Sequence, residues 1–424
     1  MATESIAPKV KNLLESLLQA PIPIRLRAWD GSEAGPADTP VLVIRHRRAL
    51  RRLMWQPNEL GLARAYVAGE IDVEGDLYSA LDRLAALIWR APDLRGMPVR
   101  AVAGSLLRLG VVGTQPKPPP EEIAMSGTRH SRRRDRQAIS HHYDVGNDFY
   151  RIVLGPSMVY SCAYWTSTDA GYGLADAQRA KLDLICRKLE LRPGMRLLDV
   201  GCGWGSMAMH AAREYGVQVL GITLSTEQAD YARKQVAEAG LTDQVEIRIQ
   251  DYRDLDDGPF DAISSIGMAE HVGTGPYREY ATILFGQLKP GGRLLNHQIA
   301  AIHPESKPEG RSFIDAYVFP DGELAPLGTT VSLIEEAGFE VRDVQALREH
   351  YARTLRAWVS RLESDWSTAV RLTSPGRARV WRLYMAASAL AFEHGRIGVN
   401  QVLAVRSHRD GTSGMAPTRS GWLA

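Results

Sequence analysis

The 424-residue chain exceeds one typical domain, and at 45% hydrophobic and 24% charged residues it has the composition of an ordinary folded protein. That excludes a disordered, collagenous or coiled-coil chain, and no apolar run approaches the ~20 residues of a bilayer-spanning helix. The net charge of +2 conceals an asymmetry, with +6 on residues 1–136 and −4 on the remainder.

The N-terminal stretch lacks the basic-then-apolar order of a secretory signal, and residues 8–19 predict an amphipathic helix with Val10, Leu13, Leu14, Leu17 and Leu18 on one face. PVLVIRH (40–46) has strand character, and ALRRLMW, ELGLARAYVAG and DLYSALDRLAALIWR then predict helices. Residues 1–110 thus form a smaller α+β accessory domain without a catalytic constellation. Two basic clusters stand out: Arg45, His46, Arg47, Arg48, Arg51 and Arg52, then Arg129, His130, Arg132, Arg133, Arg134 and Arg136. Such clusters suit an anionic membrane surface or nucleic acid phosphates, and equally a solvated face with no partner. Residues 111–137, with a Pro cluster and a charge run, predict a linker.

From residue 138 strands and helices alternate: a helix over 174–190, the strand MRLLDV, the helix MAMHAAREYG, VQVLGITL, STEQADYARKQVAEAG, VEIRIQD, FDAISSI, GPYREYATILFGQL and KPGGRLLNHQIA. This alternation predicts an α/β domain over 138–424, with a mostly parallel sheet between helices. FEVRDVQAL and VNQVLAVRS supply two further strands. Cys162, Cys186 and Cys202 form no CxxC pair, so a reducing cytoplasm is expected and a structural metal site is not.

LLDVGCGWGS (197–206) is a strand, the acid Asp199, and Gly201, Gly203 and Gly205, a turn that lets backbone amides approach a ligand. TLSTEQ and the acidic-aromatic DY at 251–252 follow the next two strands. Strand, DxGCGWG, strand, TLSxxQ, strand, DY resembles the class I S-adenosylmethionine-dependent methyltransferases, a Rossmann-like fold. HHYDVGNDFYRIVLGPSMVYSCAYW (141–165), GMAEHVG (267–273) and YARTLRAW (351–358) narrow this. Together these motifs resemble the cyclopropane-fatty-acyl-phospholipid synthases and mycolic acid methyltransferases.

The resemblance implies that Tyr160, Ser161, Gly201, Gly203, Thr223, Gln228, Asp251 and Tyr252 hold S-adenosylmethionine. It also implies that Cys162, Glu270, His297, Tyr351 and the backbone of Ile299 surround a bicarbonate ion that accepts a proton. Singly these residues have plainer readings. Cys162 is a small buried hydrophobe, Glu270 caps the helix near Gly275, and His297 is a satisfied core histidine. A metal site of Glu270, His271 and His297 is a further alternative.

The implied substrate is the cis double bond of an unsaturated, oleoyl-type phospholipid chain, methylated through a carbocation. FIDAYVFPDGELAPLG (313–328), containing Glu323, and the tail over 399–422 resemble the actinobacterial enzymes that make 10-methylene and 10-methyl stearoyl lipids. A 10-methylene product is therefore expected, with a cyclopropane as the alternative. The implied partners are an anionic inner-membrane surface, where the enzyme is peripheral and cytoplasmic, and a flavin- or NADPH-dependent reductase that saturates the methylene; a homodimer is also compatible. Nucleic acid methylation is disfavoured because no Asn/Asp-Pro-Pro-Tyr/Phe run follows a strand. A catalytically inactive lipid-binding protein would not be expected to keep the whole Cys162, Glu270, His297 and Tyr351 set.

Overall fold

A computed structural model describes residues 5–88, 104, 107, 109–124, 127, 131–135, 137, 145–302 and 311–420. Arg129, His130, Arg136 and residues 141–144 of the HHYDVG motif lie outside the described residues. The chain divides into one unit of Met1–Ala124, Pro308–Val318 and Thr373–Leu390 and another of Met125–Lys307, Phe319–Leu372 and Ala391–Ala424.

The first unit is α+β. Helix Ile6–Leu18 buries Val10 and Leu13. Strands β1 (Arg25–Arg27), β2 (Glu33–Ala34), β3 (Val41–Ile44) and β4 (Ile71–Glu74) form a sheet in the order β2-β1-β3-β4. Helices Arg48–Trp55, Glu59–Val67 and Leu77–Ile88 accompany it, the second capped by Asn58 Oδ1, which accepts the Gly61 amide at 3.2 Å. The linker expected from residue 111 onward is packed as far as residue 124. Val111 and Ile123 are buried, the Ile123 amide donates to the Ala316 carbonyl at 2.8 Å, and Arg64 clasps the Glu122 carboxylate at 2.6 and 2.7 Å. Proline and glycine there mark irregular backbone, and an irregular backbone packs when its polar groups find partners. The returning segment 373–390 is likewise tied in, with Arg379 donating to Asp72 at 2.7 Å.

The second unit is built on a seven-stranded sheet: β5 (Arg196–Val200), β6 (Gln218–Thr223), β7 (Val245–Ile249), β8 (Phe260–Ile266), β9 (Leu288–Ala301), β10 (Glu340–Ala346) and β11 (Ile397–Val405). Their order is β10-β11-β9-β8-β5-β6-β7. β9, β8, β5, β6 and β7 pair in parallel, while β11 is antiparallel to both neighbours. The central strands are near-continuous apolar runs because helices cover both faces; Leu197, Leu198 and Ile263 are fully buried. Every strand predicted from residue 195 onward is present. β5 lies where the strand order reverses, with β6 on one side and β8 on the other. In open α/β sheets that switch point opens a crevice at the carboxyl ends of the strands.

Candidate active site

The glycine turn occupies that crevice. Gly201 and Gly203 have φ of +75° and +54°, the left-handed region that side chains resist. The Gly201 and Cys202 amides both donate to the Ile222 carbonyl at 2.9 Å, which pins the turn to the end of β6. A Cβ on Gly201 would stand 2.5 Å from the Met268 side chain. One on Gly203 would meet only Gln228 Nε2, at 3.9 Å. Gly203 therefore faces open space.

That space is a pocket with about 150 Å3 accessible to water. Tyr160, Ser161, Gly201, Gly203, Thr223, Gln228 and Tyr252 line it, seven of the eight residues expected to hold the donor. Thr223 Oγ1 donates to Gln228 Oε1 at 3.0 Å, so the Gln228 amide group is oriented and its Nε2 lies on the Gly203 side. Asp251 is the exception and does not line the pocket. Its carboxylate accepts the Arg253 amide at 3.0 Å and the Arg253 guanidinium at 2.8 and 2.7 Å. Burial alone would raise its pKa, but these hydrogen bonds hold it below the ordinary aspartate value. Arg253, which holds that carboxylate, itself lines the pocket together with Gln250.

Two buried charged residues absent from the expected set also line the pocket. Asp199, at the end of β5, accepts Ser264 Oγ on Oδ1 at 2.7 Å and leaves Oδ2 buried without a partner. Burial pushes its pKa up to about 6 against the pull of Ser264 and Lys181. Lys181, from helix Leu174–Leu189, donates to Ser161 Oγ at 2.8 Å. Burial depresses its pKa to about 8.

None of the five expected reacting-end residues lines this pocket, but backbone and side-chain hydrogen bonds link Glu270, Ile299, Tyr351 and Cys162. Ile299 on β9 donates its amide to Glu270 Oε1 at 2.7 Å. Ile299 pairs with Val399 on β11, and the Val399 carbonyl accepts the Leu347 amide at 2.8 Å. The Leu347 carbonyl in turn accepts the Tyr351 amide at 3.1 Å and lies 3.7 Å from Cys162 Sγ. His297, two residues before Ile299, shares its face of β9.

The plainer readings hold for Cys162. It is fully buried, and burial drives its thiol pKa far up, so it is an inert small hydrophobe with weak donor bonds to carbonyls. They fail for Glu270 and His297. Glu270 sits inside helix Ala269–Val272 and caps nothing with its carboxyl; Oε2 is buried and unpaired. Burial raises its pKa to about 7 although the Ile299 amide pulls the other way. His297 meets the Gln401 amide through Nδ1 at 3.3 Å, leaving Nε2 buried without a partner. Burial, with Lys181 and Lys188 nearby, lowers its pKa to about 3, so the ring is neutral. With Gln401 donating to Nδ1, the ring proton resides on Nε2. An unpaired donor and an unpaired acceptor, each buried at a cost of roughly 1–3 kcal/mol, are two groups that a small polar ligand would satisfy.

His271 also lines the pocket, its ring 5.6 Å from that of Phe319, and burial lowers its pKa to about 4. Among the described residues no group of three His, Cys, Asp or Glu side chains could hold a metal ion. An aromatic run joins the two ends of the site. Trp204 packs 4.6 Å from Tyr150, Tyr150 5.8 Å from Tyr160, Tyr160 5.4 Å from Trp358, and Trp358 6.0 Å from Tyr351.

With the geometry in place, similarity to known proteins sharpens its meaning. The family model described as mycolic acid cyclopropane synthetase matches residues 130–402. A protein of Mycobacterium tuberculosis named as a probable fatty acid methyltransferase is 43% identical over 412 residues, which is 94% of this chain and 95% of its own. The tuberculostearic acid methyltransferase of the same organism is 32% identical over 399 residues, 91% of this chain and 88% of its own. A solved mycolic acid cyclopropane synthase, complexed with SAH and CTAB, matches 63% of this chain and 97% of its own at 35% identity, with a TM-score of 0.60.

Proposed function

The chain belongs to the mycolic acid cyclopropane synthetase family, and we propose that it methylates the cis double bond of an oleoyl-type phospholipid chain to leave a 10-methylene group. At the coarser level, it is an S-adenosylmethionine-dependent methyltransferase of fatty acids or lipids with the class I fold. The observation that carries the methyl-transfer reading is a pocket lined by seven of the residues expected to hold the donor, together with the buried, unsatisfied Glu270 and His297.

S-adenosylmethionine, when bound, supplies an electrophilic methyl group. The pocket residues fit it. Gln228 Nε2 is free to meet ribose hydroxyls, the Tyr252 ring offers a face to adenine, and Gly203 admits the ligand against bare backbone. Bicarbonate, when bound, supplies a base small enough for an apolar interior. His297 Nε2 would donate to its oxygens and Glu270 Oε2 would accept its hydroxyl, which satisfies both buried groups.

Methyl addition to the alkene leaves a carbocation, and loss of one proton restores neutrality. A hydride shift before that loss, with the proton leaving the new methyl, gives the methylene; direct loss from the methyl with ring closure gives the cyclopropane. The segment that resembles methylene-forming enzymes reaches the reacting end. The Glu323 amide donates to the Glu270 carbonyl at 3.0 Å, and Glu323 Oε2 accepts the Thr274 amide at 2.9 Å. The likeness to a tuberculostearic acid methyltransferase across 91% of the chain supports the same branch. The cyclopropane remains the second reading, on the likeness to a cyclopropane synthase structure. Purified enzyme with oleoyl phospholipid and labelled donor separates them. The products share a mass, so NMR decides: vinylic protons support the methylene, and upfield ring protons refute it.

A lipid acceptor implies work at a membrane, and we place the enzyme peripherally on the anionic cytoplasmic surface of the inner membrane. Of the two basic clusters, the first is the better candidate for contact. Arg45, Arg47 and Arg48 are exposed, and Met54 and Trp55, on the same helix as Arg48, are 39% and 53% exposed. Glu70 serves both Arg48 and Arg52, and Asp72 both Arg45 and Arg379, so bases outnumber acids there. In the second cluster Arg132 is paired with Asp254 and Arg134 with Asp321. A flavin- or NADPH-dependent reductase would complete the route to a 10-methyl chain.

A further inference from the structure

We propose that Lys181 recognises the carboxylate at the amino-acid end of the methyl donor, with Ser161 as its co-ligand. The assignment rests on the methyltransferase reading and adds a residue to it.

Lys181 is 1% exposed, lines the pocket, and spends one of its three N–H donors on the Ser161 hydroxyl. Among the described residues its ammonium makes no ion pair. Leaving an ammonium buried with a single neutral partner costs several kcal/mol, so a fold keeps one where an anion will meet it. Asp199, also lining the pocket, has the opposite deficiency: its carboxylate is 2% exposed and Oδ2 has no hydrogen-bond partner. Each side chain electrostatically favours the charged form of the other, yet the two do not form a contact pair. A pocket that carries a buried cation and a buried anion, separately under-satisfied, is complementary to a zwitterion. The α-amino acid end of the donor is such a group.

Other lining residues suit the nucleoside instead. Gln228 and Tyr252 offer an amide and a ring, suited to the nucleoside. Ser161 is fixed from the same helix that carries Lys181: Gln178, one turn earlier, donates Nε2 to the Ser161 carbonyl at 2.9 Å while Lys181 takes the hydroxyl. Gln178 is a positioning residue in this scheme, and Lys181 and Ser161 are binding residues.

The test compares two ligands by calorimetry on the full chain: S-adenosylhomocysteine and its decarboxylated analogue, which keeps the amine and the nucleoside. Wild-type protein should prefer the carboxylate-bearing ligand by at least about tenfold, the range of a charged hydrogen bond. Lys181→Met, which matches the length of the side chain without its charge, should lose that preference by weakening the first ligand and sparing the second. Ser161→Ala should narrow it in the same direction. Equal affinity for the two ligands in wild type overturns the assignment, whatever the variants do. Retention of the full preference in Lys181→Met does the same, as does a uniform loss of both ligands there, which marks a structural lysine. Absence of any nucleoside binding to the wild type instead sinks the methyltransferase reading beneath it.

Discussion

The Glu270 carboxyl takes the Ile299 amide on one oxygen at 2.7 Å and keeps the other buried with nothing to bond. The amide fixes the plane of the group and leaves Oε2 as its only acceptor for a ligand. Glu270→Gln retains the bond to Ile299 and replaces that acceptor by a donor. Turnover should fall by roughly 10²–10⁴-fold, the usual span for lost acid–base assistance. Tyr351→Phe should act in the same direction. Donor affinity should stay within about twofold of wild type in both variants, because neither residue lines the donor pocket. Full turnover in both variants would dismiss the proposed reacting end.

The same carboxyl predicts a pH signature. Burial raises its folded pKa to about 7, above the ordinary glutamate value of 4.5, so between those values the folded state holds a proton that the unfolded state has released. Stability from this group therefore declines as pH rises through that window. At about 1.4 kcal/mol per unit, the effect is on the order of 3 kcal/mol. Glu270→Gln abolishes it. Thermal unfolding should show the variant gaining on wild type between about pH 5 and about pH 8, and a difference that does not change with pH would rule out the raised pKa.

Gly203→Val would put a branched side chain into the donor pocket. Nothing but Gln228 Nε2 lies within 4 Å of the new Cβ, so packing does not obstruct it, though its φ of +54° adds strain of about 1–3 kcal/mol. S-adenosylmethionine binding by calorimetry should fall below detection while the protein still melts cooperatively. Undiminished affinity would mean the donor binds elsewhere.

Vesicle sedimentation should show binding to anionic bilayers that weakens with salt, since exposed charges are screened over about 8 Å at physiological ionic strength. Arg47→Ser combined with Trp55→Ser should lower it several-fold. Equal binding to neutral and anionic vesicles would leave the charge argument without support.

Arg134→Ser should instead affect stability. Its guanidinium holds Asp321 through two bonds, at 2.5 and 2.9 Å, and the side chains are only 13% and 7% exposed. Removing one partner of such a pair costs roughly 3–5 kcal/mol. Asp321→Asn should cost a similar amount, and the double variant clearly less than the sum. Strict additivity would show that the two do not act as a pair.

The sheet and the nucleotide end could be read from the sequence because both depend on local pattern: apolar runs of strand length, and glycines where the backbone must turn left. Lys181 could have been found too. Buried Ala177, Gln178, Leu182 and Ile185 surround it on the apolar face of its helix, a position where a lysine needs a partner. What hid it is that lysine usually marks the solvated face. The surroundings of Asp251 were hidden for a different reason, since the spacing of DY gives no sign that Arg253 folds back onto the carboxylate. The return of 311–318 and 373–390 to the first unit was beyond reach, because pairings such as Ile123 with Ala316 join residues far apart in sequence.

That interleaving sets an order of events at birth. The first unit draws its last segment from Thr373–Leu390, so its amino-terminal stretch must wait while the intervening residues are made. At roughly 5–20 residues per second, the delay between residue 124 and residue 390 is about 13 to 53 s. Until then Asp72 lacks Arg379 and Tyr66 lacks Arg382. The nascent first unit therefore stays incomplete until its last segment emerges, and a chain ended before residue 373 would lack that segment altogether.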